Sequence, residues 1–107
     1  MTTFDERENR FEAEFAHDAD LRFKVEARRD KLVGAWAAEK LGLTGADADA
    51  YARAVVTADL EEAGDDDVFR KLRADLNDAR DKITDEEIRA KMSECLGLAM
   101  EQVRSGT

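Results

Sequence analysis

The chain has 107 residues, 40% of them charged, with a net charge of -9, no proline and one cysteine. That is one small domain; proline-built β-sandwiches and barrels are excluded, and the acidity argues against nucleic-acid binding, which needs basic surface. No apolar run approaches the roughly 20 residues of a membrane span, and Met1 to Arg10 lacks the apolar stretch of a signal peptide. The lone Cys95 cannot form an intramolecular disulfide and fits a reducing cytoplasm.

In chain order, residues 1–18 form an acidic segment with Phe4, Phe11 and Phe15 on one helical face, at spacings of seven and four. The same phase, three heptads on, reaches Val25, Leu32 and Trp36, but Asp18 and Arg22 break the stripe. Two readings stand: the phenylalanines pack on the rest of the protein, or the segment is mobile when free and becomes helical on inserting into a partner. The charge, the sparse apolar content and the absence of a capping residue favour the second.

A long helix is predicted over about 19–41, with a stripe of Leu21, Val25, Leu32 and Trp36 widened by Phe23, Val33 and Leu41. Gly42 is its stop. Thr44 and Asp47 offer a short capping box for a second helix over about 45–63, with Ala48, Tyr51, Ala52, Val55, Val56 and Leu60 inward and Gly64 ending it. Asp65 or Asp66 caps a third helix, about 66–80, built on Val68, Phe69, Leu72 and Leu76. Thr84 and Glu87 form a capping box, stapled by Ile83 and Ile88, for a fourth over about 85–104. Its stripe continues through Met92, Cys95, Leu96, Ala99, Met100 and Val103. Gly34 and Gly97 interrupt helices and are expected at close helix contacts. The fold class is therefore all-α: a four-helix bundle over 19–107, preceded by the mobile segment 1–18.

Chemistry is scarce. Glu14-Phe15-Ala16-His17 is half of a di-iron motif, but His17 is the only histidine and one chain cannot complete the site. Asp65-Asp66-Asp67 lacks the ligand spacing of a calcium loop, and Leu41-Gly42-Leu43-Thr44-Gly45 lacks the lysine of a phosphate loop. No cofactor, no metal and no enzymatic activity are expected. One charge feature stands out: residues 21–42 carry six bases and three acids in an otherwise acidic chain. Arg28, Arg29 and Lys31 either form a solvated face or a patch for a nucleotide or other anion.

The residues also carry a resemblance. Thr3-Phe4-Asp5-Glu6-Arg7-Glu8, Phe11-Glu12, Phe15-Ala16-His17-Asp18, Phe23-Lys24, Ala27-Arg28-Arg29, Gly34-Ala35-Trp36-Ala37-Ala38 and Ala58-Asp59-Leu60-Glu61-Glu62-Ala63-Gly64 occur in order. Together they resemble the zeta subunit family of the alphaproteobacterial F-type ATP synthase, most strongly over residues 3–64. Asp30, where asparagine is expected, and Leu60, where phenylalanine is expected, depart from it. The resemblance implies a four-helix protein that inhibits ATP hydrolysis by inserting its N-terminal helix into an alpha/beta catalytic interface near gamma. Phe4, Asp5, Arg7, Glu8, Phe11, Glu12 and Phe15 would be the inserting residues and the bundle the anchor. The free protein would be a monomer, and the bound one peripheral on the cytoplasmic side of the inner membrane, without entering the bilayer.

Overall fold

The computed structural model describes residues 18–60 and 64–106, which form four helices packed into a bundle. They are α1 (Ala19–Lys40), α2 (Gly45–Asp59), α3 (Asp66–Leu76) and α4 (Asp85–Ser105). The expected segment 1–18 lies outside the described residues except for Asp18, as do residues 61–63 of the expected second helix.

The ends of α1 are set by its sequence. Asp18 takes an extended conformation and its carboxylate accepts the Leu21 amide at 3.0 Å. At the far end Gly42 adopts a φ of 76°. Its amide donates to the Glu39 carbonyl at 3.1 Å, and the Leu43 amide to Ala38 at 2.9 Å, the paired bonds that close a helix against a left-handed residue. The expected capping box at Thr84 is also present. The Glu87 amide donates to Thr84 Oγ1 at 3.1 Å and the Thr84 amide to Glu87 Oε1 at 3.4 Å, with Ile83 and Ile88 both buried beside it.

Two other expected caps are absent. Thr44 precedes α2 but its side chain accepts no capping bond. Gly45 enters the helix at a φ of 55°, and it is the Thr44 carbonyl that takes the first amides, Asp47 at 3.2 Å and Ala48 at 3.3 Å. Asp65 precedes α3 without a side-chain cap; its carboxylate lies 3.6 Å from Arg89 instead. Helix α3 also ends at Leu76 rather than 80. Asn77 and Asp78 turn the chain there, in keeping with the preference of Asx residues for turns, and the Asn77 side chain accepts from Arg73 at 3.1 Å.

Helix α1 is the shared element, packed along both α2 and α4, while α3 closes against α2 and α4. The core joins Val33 and Ala37 of α1, Val55 of α2, Val68, Leu72 and Leu76 of α3, and Ile88, Met92 and Cys95 of α4. Because α1 has neighbours on two sides, its buried face is turned by roughly a third of a turn from the predicted stripe. Val25, Arg29, Asp30, Val33, Gly34, Ala37 and Ala38 are buried, whereas Leu21, Leu32 and Trp36 are half-buried at its margin. At Gly34 α2 comes close: a Cβ there would stand 2.8 Å from Ala52 Cα. Gly97 has no such role, since a Cβ on it would meet nothing within 4 Å.

Candidate functional site

The expected inserting residues Phe4, Asp5, Arg7, Glu8, Phe11, Glu12 and Phe15 lie outside the described residues, as does His17. What the structure describes is the end of the bundle from which that segment departs: the first turns of α1, beside the last turn of α2. Two large apolar side chains are exposed there, Phe23 at 55% and Leu60 at 64%. Both border a recess of about 40 Å³, whose other walls are Glu26, Ala27, Asp30, Val56 and Asp59.

Under this rim lies a cluster that the sequence reading missed. Arg29 Nε and Nη2 each stand 3.0 Å from Asp30 Oδ1, and Nη2 reaches Asp59 Oδ2 at 3.2 Å. All three side chains are buried, Asp30 at 1% exposure. Burial, and next the neighbouring Asp59 carboxyl, push the Asp30 carboxyl up to about 8 despite the adjacent guanidinium. The available sequence signal is one of phase: Asp30 stands seven residues before Ala37, in the column that packs inward.

The basic block is divided by this arrangement. Arg29 points inward to two carboxylates. Arg28 is half-buried and its Nη1 donates to Gln102 Oε1 of α4 at 3.2 Å. Lys31 is exposed and, with Lys24 and Arg28, lines an open groove of about 600 Å³ that also includes Phe23, Leu32 and Val103. The expected patch of Arg28, Arg29 and Lys31 thus has one member turned into the bundle. Elsewhere the cations serve packing: Lys71 lies 5.2 Å from the Tyr51 ring, Arg89 4.0 Å from Phe69 and Lys91 5.9 Å from Trp36.

Other reactive groups are held quiet. Cys95 is buried in the core, and burial raises its thiol pKa, which disfavours the nucleophilic thiolate. The Tyr51 hydroxyl donates to Asp75 Oδ2 at 2.8 Å, and burial pushes its pKa well up. Among the described residues no three histidines, cysteines or carboxylates are grouped to hold a metal ion, and no helix is long and apolar enough to cross a membrane.

Comparison with known proteins gives the context for this arrangement. A structure described as the solution NMR structure of a protein is similar to the chain, at 46% identity and a TM-score of 0.72. The similarity covers 81% of this chain and 99% of that one. No curated protein matches. A family model described as ATPase inhibitor subunit zeta matches residues 1–102, the N-terminal segment and nearly all of the bundle together. The family is one of inhibitor subunits rather than catalytic enzymes, and the chain belongs to the ATPase inhibitor subunit zeta family.

Proposed function

We propose that the chain is a regulatory subunit of the F-type ATP synthase that blocks hydrolysis and hydrolytic rotation. Residues 1–18 are the effector. As a helix they enter an alpha/beta catalytic interface near gamma, with Phe4, Phe11 and Phe15 on the apolar face and Asp5, Arg7, Glu8 and Glu12 making polar contacts. Residues 19–107 are the anchor, which raises the local concentration of the segment at its site. The protein is a monomer when free and sits on the cytoplasmic side of the membrane through the synthase. The observation that carries this reading is the family match across residues 1–102, which takes in effector and anchor alike.

The test is Mg-ATP hydrolysis by the catalytic head of the cognate synthase, stripped of this subunit. Adding the full chain should inhibit, and adding a chain lacking residues 1–18 should not. Inhibition by the shortened chain would transfer the activity to the bundle and overturn the assignment. The alternative of an anionic ligand such as a nucleotide on α1 rests mainly on Arg28 and Lys31 at the groove, because Arg29 is engaged by Asp30 and Asp59. Absence of amide shifts along α1 at millimolar ATP or ADP would reject it.

A further inference from the structure

We propose that Asp30 and Asp59 form a proton-binding site, a carboxyl–carboxylate pair under Arg29 that fastens the end of α2 to α1 and loosens when the proton leaves. The argument begins with charge. One guanidinium faces two carboxylates, and all three side chains are less than a tenth exposed, at 6%, 1% and 8% for Arg29, Asp30 and Asp59. With both acids ionised, the cluster would bury one uncompensated negative charge. A buried charge of that kind is expensive, and a carboxyl group avoids the expense by keeping its proton.

Hydrogen bonding selects which oxygen holds the proton. Arg29 donates through Nε to Asp30 Oδ1, which Nη2 also approaches to 3.0 Å, and through Nη2 to Asp59 Oδ2. Asp30 Oδ2 is left buried without a partner, and both Asp30 and Asp59 line the recess beneath Phe23 and Leu60. As a carboxylate oxygen, Oδ2 would be an acceptor with no donor. As a hydroxyl, it can donate to the Asp59 carboxylate, which lines the same recess, and one proton serves both acids. The raised pKa of Asp30 agrees, with burial as its main cause and the neighbouring Asp59 carboxyl next.

The surroundings do not supply a competing charge. On α1 the neighbours are Arg29 and Glu26, and Glu26 faces out toward Arg22 at 3.9 Å. On α2 the neighbour is Asp59. From α4 the Cys95 thiol lies near Arg29 and is kept protonated by burial, and α3 and α4 contribute no charge that shifts Asp30 among the described residues. Loss of the proton therefore sets two like charges against each other across the α1–α2 contact, with one guanidinium between them. The recess of about 40 Å³ gives water a place to enter as the contact opens.

The site is independent of what the protein binds, and its test needs only the intact chain. The ¹³C resonances of the Asp30 and Asp59 carboxyl groups are followed between pH 3 and 10, together with the amides of Phe23 and Leu60. One step of the pair should fall above pH 7, with the two amides moving at the same midpoint. In Asp30→Asn, whose amide donates to Asp59 at every pH, that common step should vanish while the bundle stays folded. If both carboxyl groups titrate near pH 4, a water molecule rather than a proton satisfies Oδ2 and the proposal fails. Persistence of the amide step in Asp30→Asn would overturn it equally.

Discussion

Gly34 and Gly97 are the same residue type inside helices of similar length, yet alanine should act on them with different outcomes. At either site, alanine gains about 1 kcal/mol in helix propensity over glycine. At position 97 nothing opposes that gain, because the new methyl meets no atom within 4 Å. At position 34 the methyl would stand 2.8 Å from Ala52 Cα and 3.2 Å from Ala52 Cβ, so the backbone of α2 must move by a few tenths of an ångström or more. Overpacking of that kind costs about 1–3 kcal/mol. Since the propensity gain is common to both, the difference between the two variants isolates the packing cost. It corresponds to a gap in melting temperature of roughly 4–24 °C for a domain of this size. Urea unfolding followed by helical circular dichroism would measure both. Equal stabilisation by Gly34→Ala and Gly97→Ala would refute the close approach of α1 and α2.

Removal of the α4 cap in Thr84→Ala should cost about 0.5–2 kcal/mol in the same unfolding assay, because it leaves the Glu87 amide without its acceptor. Arg29→Met should cost about 3–5 kcal/mol in that assay, because it leaves the buried Asp59 carboxylate without its cationic partner. For Asp30 the folded-state pKa, about 8, lies above the unfolded value, so its contribution to stability is complete below about pH 4 and is lost as pH rises to about 8. The loss is at most about 1.4 kcal/mol per pH unit, and a pH series of unfolding curves should show it flattened in Asp30→Asn. Phe11→Ala should weaken inhibition of ATP hydrolysis strongly while leaving the melting temperature nearly unchanged. Unfolding of the bundle by that substitution would place Phe11 in the core instead.

The legible parts of the fold are those fixed by local chemistry. Thr84, Glu87, Ile83 and Ile88 lie within six residues of one another, so their roles follow from spacing alone. Gly42 needs only a left-handed residue after an apolar stripe. Thr44 misleads because Gly45, directly after it, changes the path of the chain and removes the hydroxyl from capping. The face of α1 misleads for a different reason. A stripe drawn through large apolar residues assumes one neighbour, whereas α1 has two, and one of them, α2, is met at Gly34, which no apolar stripe includes. Arg29 reads as part of a solvated face or an anion patch because its partner Asp59 is about thirty positions away, and only the packing of α2 on α1 brings it near.

Asp18 has a further consequence for the protein as a machine part. Its carboxylate and carbonyl both serve α1, accepting from the Leu21 amide at 3.0 Å and the Arg22 amide at 2.9 Å, and its ψ of 108° is extended rather than helical. A helix formed upstream could become continuous with α1 only by turning Asp18 into a helical residue and surrendering the side-chain cap, at about 0.5–2 kcal/mol. In the proposed mechanism Asp18 is therefore an insulator between effector and anchor. Coiling and uncoiling ahead of it need not propagate into the bundle, and the bundle need not rearrange to release what precedes it.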